Sequence, residues 1–107
     1  MKAKTDISFV ILTWNSESYI QKCMDSLISA LGRTDLTYHI YITDNGSMDK
    51  TPDILNALKN KMPETVTLFM LDRNMGTTYS RNLGLKKSRQ QIYLYYGFRC
   101  RGFFRNH

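Results

Sequence analysis

From Ile7 to Thr13 the chain is almost unbroken apolar and rich in β-formers, the pattern of a strand covered on both faces. Ile20, Cys23, Met24, Leu27, Ile28 and Leu31 then recur at helical spacing, with Ser16 or Ser18 as a cap and Gly32 as a stop. Tyr38 to Thr43 reads as a second strand. Thr51-Pro52 opens a second helix with Ile54, Leu55, Leu58 and Met62 on one face and Pro63 beyond its end. Val66 to Leu71 reads as a third strand. Gly76 to Lys87 suits a third helix, with Tyr79 and Leu83 as its apolar pair at i, i+4. Ile92 to Tyr96 fits a fourth strand, and no periodicity survives beyond it.

Strands and helices that alternate through short links imply right-handed crossovers and a mainly parallel sheet. The expected fold is therefore α/β, a Rossmann-like three-layer α/β/α sandwich. In such sheets the ligand crevice lies outside the carboxyl ends of the strands, and the unusual polar residues of this chain fall there.

At 107 residues the chain has room for one domain and its core. Two prolines and six glycines argue against disorder. The formal charge of +6 is unevenly placed. Residues 1–80 carry eight Lys/Arg against nine Asp/Glu, whereas residues 81–107 carry seven Lys/Arg and no acid. A basic tail suits nucleic acid or anionic lipid, but this one lacks a dense Lys/Arg cluster and also fits a merely solvated segment. Cys23 and Cys100 show neither a disulfide framework nor metal-ligand spacing, and Cys23 falls on the apolar stripe of the first helix. The apolar run Ile7 to Leu12 is too short for a signal peptide and lacks a cleavage site. No stretch approaches the length of a membrane span. These features predict a cytoplasmic protein, associated with a membrane at most peripherally.

Three polar clusters follow predicted strands. In Thr13-Trp14-Asn15 the tryptophan can offer its ring face to a planar base while Thr13 and Asn15 supply hydrogen bonds; equally, Trp14 can plug the end of the core. In Asp44-Asn45-Gly46-Ser47-Met48-Asp49 the strand-end carboxylate of Asp44 suits a base N–H or a ribose hydroxyl. Gly46 permits a tight turn, and Ser47 or Asp49 can cap the next helix. In the third cluster, Asp72-Arg73-Asn74-Met75-Gly76 followed by Arg81-Asn82, Arg81 matches a diphosphate in geometry and charge, or else pairs with an acid at the surface. There is no G-x-G-x-x-G, no Walker motif and no His/Cys metal set.

Taken together, Phe9-Val10-Ile11-Leu12-Thr13-Trp14-Asn15 with Tyr19-Ile20, Asp44-Asn45-Gly46-Ser47-Met48-Asp49-Lys50-Thr51, Asn74-Met75-Gly76 and Arg81-Asn82-Leu83-Gly84 resemble a family 2 glycosyltransferase of the GT-A fold. The resemblance covers roughly residues 6–88. It implies inverting transfer from a nucleotide diphosphate sugar, most often UDP-linked, to a glycan or lipid-linked acceptor, with Mg²⁺ or Mn²⁺ as cofactor. Carried over by position, Thr13 and Trp14 line the base pocket, with Trp14 where the family usually has tyrosine. Asn15 belongs to the same turn, Asp44 holds the base, Asn45 replaces a second acid, and Arg81 lies toward the diphosphate.

The family's next strand ends in an Asp-x-Asp motif that holds metal and ribose, and a later carboxylate serves as base. This chain has neither after residue 89. Its tail admits another reading, however. One A/T-rich choice of codons for residues 91–107, read from the second base, gives KYIYIMDSDVEVFSGI, a strand followed by Asp-Ser-Asp. That points to a frameshift near residues 89–91. Residues 1–89 are then the nucleotide-sugar-binding part of the domain, and residues 90–107 an aberrant basic tail.

Without metal ligands or base, this polypeptide is expected to be an inactive fragment of a transferase for cell-surface polysaccharide. The alternatives are a non-catalytic module that binds UDP or a UDP-sugar through Trp14, Asp44 and Arg81, and, from another class, a small nucleic-acid-binding protein. The last would use Arg99, Arg101, Arg105, Phe98, Phe103 and Phe104, and nucleic acid is the partner the sequence favours least.

Overall fold

The computed structural model describes residues 5–87 and 93–96. In chain order they form β1 (Ile7–Thr13), α1 (Ile20–Leu31), β2 (Tyr38–Asp44), α2 (Thr51–Lys61), β3 (Val66–Met70), α3 (Thr77–Lys87) and β4 (Tyr93–Tyr96). The strands make one parallel sheet in the order β3-β2-β1-β4. The central position of β1 explains its near-continuous apolar run. With β2 on one side, β4 on the other and helices on both faces, it has no solvated side to accommodate polar residues.

Side chains alternate across the sheet. Phe9 and Ile11 of β1 and Ile40 and Ile42 of β2 join Ile20, Met24, Leu27 and Leu31 of α1 and Leu55 and Leu58 of α2 in the main core. Val10, on the opposite face, lies beneath α3, where a Cβ on Gly84 would come within 2.7 Å of its Cγ1. The architecture is the expected three-layer α/β/α sandwich. Cys23 is half-buried against the main core, as its place on the apolar stripe of α1 suggests.

The element order agrees with the sequence pattern, with two corrections. Neither Ser16 nor Ser18 caps α1: Tyr19 is its N-cap and makes no side-chain cap bond, while the Ser16 hydroxyl is engaged with Trp14. Gly32 ends α1 as expected, with an ordinary right-handed φ of −66° that any residue could take. Among the described side chains of α3, Ser80 and Gly84 are buried, whereas of the expected apolar pair Tyr79 is 48% exposed and Leu83 is half-buried. Close approach to β1 and β2 selects small residues there. The Thr43 hydroxyl donates to the Ser80 carbonyl at 3.1 Å, which a bulky residue on that face would prevent.

The strand order also locates the crevice. The chain steps from β1 to β2 to β3 in one direction, then returns through α3 to the far side of β1. That reversal is a topological switch point, where open α/β sheets bind ligands beside the carboxyl ends of the strands. Tyr96, the last residue of β4, pairs with Ile11, two residues short of the end of β1. The expected boundary at residue 89 and the segment from residue 97 onward lie outside the described residues, whereas Tyr93–Tyr96, within the predicted aberrant tail, pairs with β1 as the predicted fourth strand.

Candidate functional site

β1 and β2 each end in a polar residue at the crevice. Thr13 and Asp44 are register partners at the ends of β1 and β2. The Thr13 hydroxyl donates to Asp44 Oδ1 at 2.8 Å, and both residues are buried. The Ser47 hydroxyl donates to the same oxygen at 2.6 Å, and the Ser47 N–H to Oδ2 at 2.9 Å. A carboxylate only 2% exposed is thus kept satisfied by three donors from the protein itself. Oδ2, with one partner, retains the carboxylate's spare accepting capacity.

Trp14 follows directly, 42% exposed at the end of β1. Asn15 has φ +49°, a left-handed conformation that asparagine tolerates better than most residues. Two long-range bonds hold it there: its N–H donates to Ser47 Oγ at 2.8 Å, and its side-chain oxygen accepts from the Met48 N–H at 2.9 Å. Further along, the Ser16 N–H donates to Thr51 Oγ1 at 2.7 Å, the Glu17 N–H to Asp49 Oδ2 at 3.1 Å, and the Lys50 N–H to Glu17 Oε1 at 2.9 Å. The β1–α1 and β2–α2 turns are laced together, so the exposed tryptophan sits on a braced loop.

A second brace comes from the β3–α3 turn. Asn45 is fully buried; its side-chain oxygen accepts from the Met75 N–H at 2.8 Å, and its amide lies 3.5 Å from the Gly76 carbonyl. Gly46, at φ +77°, packs directly on the backbone of Arg73 and Asn74. The structure therefore brings Thr13, Trp14, Asn15, Asp44 and Asn45 into one rim. Asn45 spends its amide on shaping that rim. Arg81 lies in the second turn of α3, and its side chain is outside what is described. The N-cap of α2 is Lys50, which makes no side-chain cap bond, so neither Ser47 nor Asp49 takes the cap position that the sequence suggested; Asp49, one residue earlier, accepts from the Thr51 N–H through Oδ1 at 2.9 Å. Desolvation works to raise its pKa, but the hydrogen bonds from Thr51 and Glu17 outweigh it and hold the carboxyl below the ordinary range.

Sequence reasoning missed the acceptor role of Ser47, the Ser16–Thr51 contact and the amide clamp of Asn45. All of these reach across some thirty residues, and no local pattern announces them. Among the described residues, no three His, Cys, Asp or Glu side chains gather as a metal site.

The sheet that carries this crevice is similar to that of known proteins. The family model of glycosyl transferase family 2 matches residues 8–96, most of the chain. The chain belongs to this family. Among its curated relatives, an uncharacterized glycosyltransferase of Haemophilus influenzae is 30% identical over 82 residues, covering 77% of this chain and 31% of that protein. The poly(ribitol-phosphate) beta-glucosyltransferase of Bacillus spizizenii is 33% identical over 90 residues, covering 83% of this chain and 14% of its own length. Among solved structures, S. aureus TarS in complex with UDP superposes with a TM-score of 0.70 at 26% identity, over 87% of this chain and 27% of TarS. TarS has also been solved with UDP-GlcNAc.

This family 2 glycosyltransferase chain thus spans under a third of the length of those relatives. Its matched region takes in all four strands, so the resemblance seen in the motifs extends to the sheet that positions them.

Proposed function

We propose that this chain is the donor-nucleotide half of a family 2 glycosyltransferase, that it binds a UDP-sugar at the carboxyl ends of β1 and β2, and that it does not itself transfer the sugar. The observation that carries the reading is the exposed Trp14 at the switch point, one residue beyond the Thr13–Asp44 pair. A planar base stacks on the indole ring, and a base N–H or ribose hydroxyl reaches Asp44 Oδ2. Asn15 and Asn45 set the shape of the rim, and Arg81 serves the diphosphate. The UDP held by TarS, a chain of the same fold, supports a uridine nucleotide.

The family's divalent metal would supply charge neutralisation for the leaving diphosphate. The donor set does not suit it here: the residues after β4, Gly97-Phe98-Arg99, bring cations and no carboxylate, and no cluster of candidate ligands exists among the described residues. With one A/T-rich choice of codons a one-base shift would turn this segment into Asp-Ser-Asp, and on that reading the parent gene encodes an active transferase for a cell-surface glycan. The acceptor and linkage belong to that longer protein, working at the cytoplasmic side of the membrane. Among the described residues, no helix is long and apolar enough to cross a membrane. The nucleic-acid reading rests on Arg99, Arg101, Arg105 and the aromatics Phe98, Phe103 and Phe104, all outside the described residues, and no observation favours it.

The test is to incubate the chain with sugar-labelled UDP-sugar and analyse both the bound and the free fractions. Intact sugar nucleotide in the bound fraction, with no free or transferred sugar, is the expected result. Released or transferred sugar would overturn the inactive assignment. Absence of binding would overturn the donor-site assignment.

A further inference from the structure

We infer that Ser47 is a positioning residue, which transmits the fixed orientation of the buried Asp44 carboxylate to the Trp14 turn. A serine hydroxyl has one hydrogen to give, and in Ser47 it goes to Asp44 Oδ1 at 2.6 Å. The lone pairs of the same oxygen remain free to accept, and the Asn15 N–H donates to them at 2.8 Å. One atom therefore joins the carboxylate at the end of β2 to the residue that follows Trp14. The Ser47 N–H also donates to Asp44 Oδ2 at 2.9 Å, so the serine is held at two points and its hydroxyl has little freedom to turn away.

The other end of the connection is under conformational demand. Asn15 lies in the left-handed region, at φ +49°, and persists there because neighbouring groups over-determine it. On its C-terminal side, the Ser16 hydroxyl accepts from the Trp14 N–H and donates to the Trp14 carbonyl, both at 3.2 Å. Those contacts are local and long. The Ser47–Asn15 bond, at 2.8 Å, is shorter, and together with the Met48 N–H to Asn15 Oδ1 bond at 2.9 Å it ties the tryptophan turn to the β2–α2 turn. A charged acceptor strengthens the donor bound to it, and a hydroxyl polarised in this way accepts more strongly through its own oxygen. Asp44 thereby acts on Trp14 through Ser47, whether or not it also touches a ligand.

Thr13 supplies an internal control. Its hydroxyl donates to the same Asp44 oxygen, but no hydrogen bond links that hydroxyl to Asn15. Removing either hydroxyl takes one donor from Asp44; only removing that of Ser47 also releases the Asn15 N–H.

The experiment reads the chain's single tryptophan without ligand, so its outcome is independent of whether UDP binds. Ser47→Ala, Ser47→Thr and Thr13→Val are compared with the parent chain for tryptophan anisotropy, acrylamide quenching and thermal stability. The inference predicts loss of anisotropy and greater quenching in S47A, recovery in S47T, which keeps the hydroxyl, and parent-like values in T13V despite a comparable loss of stability. Should S47A not fold, Ser47→Cys, with a poor donor of similar volume, takes its place. Parent-like fluorescence in S47A, no recovery in S47T, or an equal change in T13V would each overturn the inference.

The consequence for ligand rests on the donor-site reading above: the UDP dissociation constant should rise about fivefold in S47A, in line with the loss of one ordinary hydrogen bond, that from the Asn15 N–H. If the parent chain does not bind UDP, the donor-site reading fails while the fluorescence result still decides the role of Ser47. A normal UDP affinity in S47A, alongside a mobile Trp14, would overturn the link from positioning to binding.

Discussion

The Thr13 hydroxyl and Asp44 Oδ1 stand 2.8 Å apart across the carboxyl ends of two neighbouring strands, buried from solvent. That bond, with the two from Ser47, makes the carboxylate a structural element of the rim as well as a candidate ligand. Asp44→Asn keeps the shape but turns an N–H₂ toward at least one donor. It should cost about 1–3 kcal/mol, because buried donors are left without acceptors. Equilibrium urea denaturation checks this; an unchanged midpoint would show that the three bonds contribute nothing net.

Gly46 and Gly76 both have positive φ, +77° and +90°, yet they should respond differently to alanine. A Cβ at Gly46 would come within 2.5 Å of the Arg73 carbonyl carbon and 2.8 Å of the Asn74 nitrogen, and closer still to the Arg73 Cα. At Gly76 no atom lies within 4 Å of the added carbon. Gly76→Ala should therefore cost only the left-handed penalty, about 1–2 kcal/mol. Gly46→Ala should cost more, since the β3–α3 turn must move by an amount no flexible side chain can absorb. Thermal denaturation of the two variants decides the order, and equal losses would contradict the packing described.

Acid should loosen the lacing of the two turns through Asp49. Its carboxyl accepts from Thr51 and Glu17 and lies below the ordinary 3.8. The folded chain thus holds this proton less tightly than the unfolded chain. The stability it contributes is complete above the unfolded value, near pH 4, and is lost as the pH falls through the folded one. Asp49→Asn should be less stable than the parent at pH 7, with the gap narrowing at pH 3. A gap that stays constant, measured by denaturant titration at both values, would remove Asp49 from the account.

The strands were legible because apolar runs in a parallel sheet have no second explanation: Ile7–Thr13 appears with the boundaries that its composition suggests. The third helix was legible in place but not in orientation. Among its described side chains the buried ones are Ser80 and Gly84, suited to closeness to Thr43 and Val10, so hydrophobic spacing singled out Tyr79 and Leu83 instead. At the rim, residue type was enough to place Trp14 and Asp44 at strand ends. It could not reveal that Ser47 accepts from Asn15, or that Asn45 grips Met75 and Gly76, since hydrogen bonds across thirty residues leave no periodic trace.

The most direct measurement is a titration of the intact chain with UDP, following the fluorescence of Trp14, with a Trp14→Phe variant titrated by calorimetry alongside. The account predicts saturable quenching in the parent chain. The variant, with a weaker stacking platform, should bind several-fold less tightly. A flat titration up to millimolar UDP, or equal affinity in the two chains, would contradict it.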